Sequence, residues 1–432
     1  MIQVSPPNGA FDVSPTNSIL IQLDEPVSPA TVQTGPVRIR GHQSADYTGV
    51  FSFPASNEIR FIPGRSWRPG EWVDIILSSN IQSVATNPLN PFVSSFSTRA
   101  TGCTDRTFLD SEQELDGLRS RDVRLGDFDG DGDLDAFVAN DGHPNRIWIN
   151  DGSGFYTNSS QDLGASASWG VALGDVDGDG DLDAFVANRD QNNRLWLNDG
   201  TGSFTDSGQA LGTASSRGVA LGDVDGDGDL DAFVVNWGPD RIWFNDGAGN
   251  FVDGGQNMGN GDSLRVTLGD LDGDGDLDAF VSAFDELNRI WLNDGTGFFV
   301  NDVQSLGNRK SRDAVLGDVD GDGDLDALVI NDSQDSRLWL NDGNATFSFS
   351  GQSLGNLRGF RGILNDIDGD GDLDAFVANY IGVNRVWLND GGGNFTLGET
   401  LAGDGPTTGA DLGDLTGDGS LDLFTAEYQA GN

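Results

Sequence analysis

Asp127-Phe128-Asp129-Gly130-Asp131-Gly132-Asp133-Leu134-Asp135 puts an aspartate at every odd position of a nine-residue stretch, with glycine where the chain must turn sharply. The stretch recurs from Asp175, Asp223, Asp270, Asp318, Asp366 and Asp414, at intervals of 48, 48, 47, 48, 48 and 48 residues. Self-similarity at such a period marks a repeat architecture, so the seven copies weigh more than any single motif. Each full unit reads alike: a β run ending in Leu-Gly-Asp, the acidic loop, Leu-Asp-Ala-Phe-Val, a variable loop, Arg-Leu-Trp-Leu-Asn-Asp-Gly, then a Phe-containing run ending in Gln-x-Leu-Gly. This predicts four short strands per unit, with Asn-Asp-Gly as a tight hairpin signal between the third and fourth. Such units fit the blades of a β-propeller, which closes on itself and hides most sheet edges. The expected architecture is all-β, with a seven-bladed propeller over residues 107–432.

The ends of the array support closure. Residues 107–115, from Thr107-Phe108-Leu109 to Gln113-Glu114-Leu115, match the fourth-strand pattern of Ser203-Phe204-Thr205 to Gln209-Ala210-Leu211. The seventh unit stops at Asn432, before any Arg-x-Trp run. The N-terminal strand 107–115 is therefore expected to complete the last blade, and the missing third strand hints that the natural protein continues further.

The acidic loops read as sites for a hard divalent cation. Calcium takes six to eight oxygens, which a tight loop supplies from alternate side chains and a carbonyl. The candidate ligands in the first loop are Asp127, Asp129, Asp131 and Asp135 through their carboxylates, and Asp133 through its backbone carbonyl. The second loop offers Asp175, Asp177, Asp179, Asp181 and Asp183, and the third Asp223, Asp225, Asp227, Asp229 and Asp231. The fourth has Asp270, Asp272, Asp274, Asp276 and Asp278; the fifth Asp318, Asp320, Asp322, Asp324 and Asp326. The sixth has Asp366, Asp368, Asp370, Asp372 and Asp374, and the seventh Asp414, Thr416, Asp418, Ser420 and Asp422, lacking the aspartate at position three. An EF-hand would place Glu at position twelve on a helix; here Val138, Val186, Val234, Val281, Val329, Val377 and Thr425 stand there in strand patterns. The alternative is a set of solvated turns. Five like charges in nine residues argue against it, since a close pair repels by about 1 kcal/mol even in water.

In this arrangement the chain resembles the FG-GAP or VCBS repeat, and the seven units look like the propeller of integrin α chains with its hairpin calcium sites. The resemblance spans residues 107–432 and implies about seven structural Ca²⁺. Seven such ions would bring the formal charge from -45 to -31. Extracellular calcium modules commonly bind at about 10⁻⁴–10⁻³ M, so the expected location is extracellular or at the cell surface.

Composition divides the chain. Residues 1–100 hold eleven of the 14 prolines, seven acids and six arginines, whereas residues 101–432 carry 62 acids against 18 bases, a net of -44. The small polar segment 101–106 reads as a linker. Before it, Ser18-Ile19-Leu20-Ile21-Gln22-Leu23, Val37-Arg38-Ile39-Arg40, Glu58-Ile59-Arg60-Phe61-Ile62-Pro63, Trp72-Val73-Asp74-Ile75-Ile76-Leu77 and Val93-Ser94-Ser95-Phe96-Ser97 alternate with Pro and Gly breaks. That spacing predicts a β-sandwich. Ser5-Pro6-Pro7-Asn8-Gly9-Ala10, Leu23-Asp24-Glu25-Pro26-Val27, Phe61-Ile62-Pro63 and Phe96-Ser97-Thr98 come in an order similar to that of bacterial Ig-like domains, which implies a spacer or adhesive module over residues 1–100. The charge argues against nucleic acid as a partner. No apolar run approaches the ~20 residues that cross a bilayer, so direct membrane insertion is not expected. The single Cys103 excludes an internal disulfide or a Cys-based zinc site.

Little in the sequence points to catalysis. There are two histidines, His42 and His143, one in each part. Gly351-Gln352-Ser353-Leu354-Gly355 fits the nucleophile-elbow pattern, yet its counterparts are Gln209-Ala210-Leu211-Gly212 and Gln256-Asn257-Met258-Gly259, so Ser353 is a repeat variant. Trp148, Trp196, Trp243, Trp291, Trp339 and Trp387 recur in register and read as packing between blades. Arg146, Arg194, Arg241, Arg289, Arg337 and Arg385 are equally regular and are expected to pair with acids. Residues that break the repeat carry more functional information. Successive strands run antiparallel, so the loops after the second and fourth strands share the face opposite the acidic loops. On them stand Trp169, Trp237, Phe284, Phe360, Tyr380 and Tyr428, which could stack on sugar rings, anchor a protein partner, or fold back onto their own blades. In integrin-like propellers this is the face where ligands bind, and some similar propellers are lectins. The expectation is a non-catalytic adhesion or recognition protein that binds a glycan or an extracellular protein. The alternatives are a polysaccharide-active enzyme or its carbohydrate-binding accessory module, and a purely architectural surface protein.

Overall fold

The structure is a computed structural model that describes residues 2–32, 37–85, 88–100, 108–113, 115–401 and 405–428. The expected linker, 101–106, lies outside the described residues. Among the described residues the chain is all-β apart from one short helix, Pro29–Val32; its sheets are almost wholly antiparallel, six of two to five strands and one of eleven in which the third, fourth and fifth units run on into one another.

The first domain has two sheets. One orders Gln3–Ser5, Ile19–Gln22, Glu58–Pro63 and Gly49–Ser52; the other orders Ala10–Val13, Phe92–Thr98, Trp72–Leu77, Val37–Gly41 and Ala45–Asp46. Alternation directs Ile19, Ile21, Ile59 and Phe61 of the first sheet inward, where they meet Val73, Ile75 and Phe96 of the second around Trp67.

The repeat part starts with Ser120–Gly126, Asp135–Asn140, Arg146–Asn150 and Tyr156–Asn158, paired in that order and antiparallel. Gly126 faces Asp135, Ala136 faces Trp148 and Asn150 faces Tyr156, and this register returns in the second unit as Gly174 with Asp183, Ala184 with Trp196 and Asn198 with Phe204. The third and fourth strands are joined by the five residues from Asp151 to Phe155, longer than the tight hairpin expected from Asn-Asp-Gly. The side chains explain this: Asn150 Oδ1 accepts from the Gly152 and Gly154 amides and Asp151 Oδ1 from Ser153, which opens the turn. In the third unit the second and third strands run on as one, Asp231–Asn245. Among the described residues the seventh unit has two strands, Thr407–Gly413 and Asp422–Glu427.

The second strand of the first unit, Asp135–Asn140, is buried on both faces. Ala136 and Val138 pack with Leu415, Phe424 and Ala426 of the seventh unit, while Phe137 and Ala139 pack with Val171, Ala184, Trp196 and Phe204 of the second. Sequence neighbours are braced by two recurring polar devices. Asn198 Nδ2 donates to the Phe128 carbonyl of the preceding unit, and Asn245, Asn293, Asn341 and Asn389 repeat the contact. Gln161 clamps the following unit, Nε2 donating to Gly202 O and Oε1 accepting from Phe204 N. Gln352, in the Gly-x-Ser-x-Gly string, makes the same clamp on Gly393 and Phe395.

The same devices join the seventh unit to the first. Asn150 Nδ2 donates to Leu415 O at 2.9 Å, and Leu125 N donates to Asp411 Oδ2 at 3.0 Å. Main-chain bridges Asp141 with Ala167 and Arg189 with Ser215 link consecutive units, and Tyr428 with Arg119 repeats them between the last and the first. Of the expected strand 107–115, the described residues 108–113 and 115 make no ladder. Phe108 nevertheless packs against the group of Ile367, Phe376 and Ala410, and Gln113 clamps both main-chain groups of Tyr156. A few side-chain contacts hold this segment where a ladder was anticipated.

The first domain is seated on the acidic-loop end of the repeats, which differs from the expected spacer. Gln43 Nε2 donates to Leu412 O at 2.8 Å, Asn365 Nδ2 to Gly70 O at 2.9 Å and Val93 N to Gly275 O at 2.8 Å.

Candidate metal loops and the opposite aromatic face

In the second to fifth loops, one carboxylate oxygen from each of positions one, three and nine lies within 4.8 Å of the other two: Asp175, Asp177 and Asp183; Asp223, Asp225 and Asp231; Asp270, Asp272 and Asp278; Asp318, Asp320 and Asp326. Position five, expected as a ligand, stands outside these groups and is exposed at Asp179, Asp227, Asp274 and Asp322. The position-seven carboxylate turns away from the loop centre. A methyl group on Gly152 would sit 2.4 Å from Asp133 Oδ2, and Gly200 stands in the same way to Asp181.

Position nine anchors each loop. Asp183 Oδ2 accepts from Val176 N at 3.1 Å and Oδ1 from Asn198 N at 2.9 Å, and the pair of bonds recurs at Asp135, Asp231, Asp278, Asp326 and Asp374. Burial nonetheless pushes these carboxyls up, to about 7 for Asp135, about 8 for Asp183 and about 9 for Asp231. Asp278 reaches about 8, and Asp326 and Asp374 about 7, for the same reason. Buried, mutually repelling carboxylates need either protons or a cation, so the repeated clusters could hold metal ions and their oxygen-only donor set fits a hard one. In the seventh loop, Thr416 and Leu415 donate their amides to Asp422, and Thr416 brings no carboxylate.

The first loop differs. In the six others the position-six amide donates to Oδ2 of position one, as Gly180 N does to Asp175 Oδ2 at 3.1 Å. In the first loop Arg68 of the N-terminal domain takes that place: Nη2 donates to Asp127 Oδ2 at 2.8 Å and Nη1 to Gly132 O at 2.8 Å. There Asp127, Asp129 and Asp131 cluster instead. No local sequence signal marks Arg68, because the contact spans 59 residues.

At the other end, the six off-pattern aromatics come together with arginines that the sequence reading passed over. Arg121 lies over Tyr428 and Trp169 at 4.0 and 4.2 Å, and Arg217 over Trp169 and Trp237 at 4.0 and 3.8 Å. Arg312 lies over Phe284 and Phe360 at 4.6 and 5.0 Å, Phe360 stacks on Tyr380 at 5.8 Å, and Tyr380 meets Tyr428 at 6.3 Å. One run of stacked rings and guanidiniums thus leads from Trp237 round to Phe284. Arg121, Trp169, Arg217, Arg312 and Phe360 sit at the bulges of their first strands, Tyr380 and Tyr428 just past the ends of their second strands, and Trp237 and Phe284 within the extended strands Asp231–Asn245 and Asp278–Leu287. The signal was legible: Ser120-Arg121, Ser168-Trp169, Ser216-Arg217, Ser263-Leu264 and Ser311-Arg312 align in the repeat, and only the aromatic members were taken up.

Beneath this rim, the first strands carry charges into the interior. Fully buried Asp122 accepts from Arg124 at 3.2 Å and from Arg265 of the fourth unit at 2.6 Å, and Arg361 of the sixth unit reaches Asp313 at 3.3 Å. Burial alone would raise Asp122; the three guanidiniums of Arg124, Arg265 and Arg361 outweigh it and hold its carboxyl down to about 2. Among the repeating arginines, Arg146, Arg194, Arg241 and Arg289 pair with acids as anticipated, whereas Arg337 and Arg385 lie against Phe349 and Trp387.

Sequence comparison finds the FG-GAP-like repeat at residues 127–186, 175–234, 223–281, 270–329, 318–363 and 366–425. The chain belongs to the FG-GAP-like repeat family. The acidic loops described above are the starting points of those repeats, and residues 1–98 match the bacterial Ig-like domain. No curated protein matches the chain in sequence. Among solved structures, an Agrocybe aegerita lectin, described for specific recognition of non-reducing terminal N-acetylglucosamine, is 21% identical with a TM-score of 0.50, over 85% of this chain and 97% of the lectin. BBS1N, solved in complex with ARL6DN, is 14% identical with a TM-score of 0.53, over 74% of this chain and 99% of its own. A functionally unknown protein from Desulfotomaculum acetoxidans DSM 771 is 15% identical with a TM-score of 0.51, over 78% and 96%. At these identities the likeness is one of fold, and it places the FG-GAP-like repeats in a propeller-like arrangement.

Proposed function

We propose that this FG-GAP-like repeat protein is a non-catalytic recognition module: a closed seven-bladed propeller, held by about seven structural Ca²⁺ on one face, that binds a glycan or an extracellular protein on the other. The observation that carries the reading is the continuous stack of aromatic rings and guanidiniums at the end opposite the acidic loops. Large flat side chains with polar edges, gathered on repeat-breaking positions, are the usual anchors of a binding face. The fold-level likeness to a lectin makes glycans the first ligands to test. Closure is supported by the bonds that join the last unit to the first, with residues 108–115 supplying the fourth element of the last blade. The metal-ligand assignment to positions one, three and nine rests on the convergence of the aspartates in the second to fifth loops; position seven is assigned through its backbone carbonyl on the sequence pattern alone, and position five joins the cluster in the first loop. Calcium, rather than a transition metal, suits a donor set of oxygens alone, and its abundance outside cells suits an extracellular or cell-surface setting.

The enzyme alternative requires a pair of free carboxylates in reach of a substrate. The buried interior carboxylates Asp122 and Asp313 are engaged by arginines, and Asp141 and Asp332 on the rim each accept from two. Screening the calcium-loaded chain on a glycan array, with calorimetric counting of bound calcium, tests the proposal. Ligand binding lost on Trp237→Ala with about seven ions retained is the expected result. Glycan cleavage by the unmodified protein would reject it.

A further inference from the structure

The guanidinium of Arg217 is clamped between the indoles of Trp169 and Trp237, and the residue is 3% exposed. Its Nε and Nη1 have no hydrogen-bond partner among the described residues, and it forms no ion pair there. The other rim arginines differ: Arg121 and Arg189 both reach Asp141, and Arg312 and Arg358 both reach Asp332. Buried donors without acceptors are rare in folded proteins, and a charged one is the costliest kind to leave so. The chemistry missing here is an anion. The wider setting agrees, because these arginines crowd one rim of a repeat part whose net charge is -44. On that rim an acidic ligand meets guanidiniums rather than the carboxylates that dominate the repeat part.

Trp237 supplies the second half of the argument. One face of its indole covers Arg217, yet the residue is 47% exposed, so a flat apolar surface stands open beside the unpaired guanidinium. A sugar ring stacks on such a surface, and an acid group on that ring or its neighbour falls within reach of Arg217 once Trp237 shifts, a rotamer change of the kind common at binding sites. Resting on the glycan reading above, we infer that this face selects acidic glycans, with Trp237 stacking the sugar and Arg217 pairing with its carboxylate or sulfate.

The test uses the full calcium-loaded chain and three hexasaccharides: hyaluronan (carboxylate), heparin (sulfate) and chitohexaose (neutral). Binding is read by calorimetry and by the fluorescence change expected as Trp237 moves. The acidic sugars should bind at least tenfold more tightly than chitohexaose, and the tighter of the two identifies the acid group. Arg217→Met should remove that preference while leaving the calcium count unchanged. Should that variant fail to fold, Trp237→Ala, on the exposed rim, is expected to weaken both acidic sugars at least tenfold. Chitohexaose binding as well as the acidic sugars, or a poly-glutamate peptide binding as well as they do, would overturn the inference while sparing a recognition role for the face. Binding of none of the sugars would remove the glycan reading together with it.

Discussion

Stripping calcium should make the stability of this protein fall as pH rises, which is the reverse of ordinary acid denaturation. Six position-nine aspartates, Asp135, Asp183, Asp231, Asp278, Asp326 and Asp374, have carboxyls raised by burial from the ordinary 3.8 to between about 7 and about 9. A carboxyl raised in the folded state binds its proton more tightly folded than unfolded. Below pH 3.8 both states are protonated and nothing is lost; above it the unfolded chain gives up the proton first, and stability declines until the folded value is passed. With each pH unit worth about 1.4 kcal/mol, the loss between pH 5 and pH 8 is about 3 kcal/mol per loop. Six loops together would exceed the 5–15 kcal/mol that hold an ordinary domain, roughly the point at which the metal-free loops must open or the chain unfold. A bound cation takes the place of the protons and flattens the dependence. The assay is guanidinium unfolding of chelator-stripped, desalted protein at pH 5 and pH 8, with and without millimolar calcium. Equal midpoints for the stripped protein at the two pH values would refute the reasoning.

Asp231→Asn removes the most strongly raised of these carboxyls and should lower the calorimetric calcium count by one, because two anchored side-chain oxygens no longer carry charge at the centre of the third loop. Arg68→Ala deletes both side-chain bonds that Arg68 makes to the first loop and leaves the bond from Asp127 N to Gln43 O; with an effect of about 1–2 kcal/mol, amides of residues 127–135 should exchange with deuterium roughly tenfold faster while those of 175–183 are unchanged. Asp122→Asn leaves Arg124 and Arg265 short of a buried counter-charge and should cost about 3–5 kcal/mol in urea unfolding. A loss below 1 kcal/mol would mean that water already reaches this cluster.

Regularity decided what the sequence disclosed. Strand order, the acidic loops, the core role of Trp148 and Trp196 and the clamp at Gln352 all follow from aligning units whose surroundings are the same in every copy. What escaped depends on contacts that no alignment of units contains. Arg68 reaches Asp127 because a separate domain is seated on the loops, and Arg265 meets Asp122 across three units. Position five looked equivalent to its neighbours, yet the two turns at the loop glycines point Asp179 outward while Asp175, Asp177 and Asp183 converge. The segment 107–115 carries a strand pattern but lacks a third strand to pair with among the described residues, so its match in sequence did not become a ladder.

The Asp122 and Arg265 pair also bears on how the molecule comes apart. Arrays of repeats in which each unit touches only its neighbours lose their ends first, and their stability is close to a sum over adjacent pairs. Here the first and fourth units share a buried ion pair, the sixth reaches the fifth through Arg361 and Asp313, and the seventh bonds the first. Losing the first, fourth, fifth or sixth unit takes a buried charge away from its partner in another, and losing the seventh breaks its bond to the first, so partly unfolded forms are penalised at each of these units. The array is thereby expected to melt as a single cooperative body, and shortened versions with fewer units to be less stable than the full set.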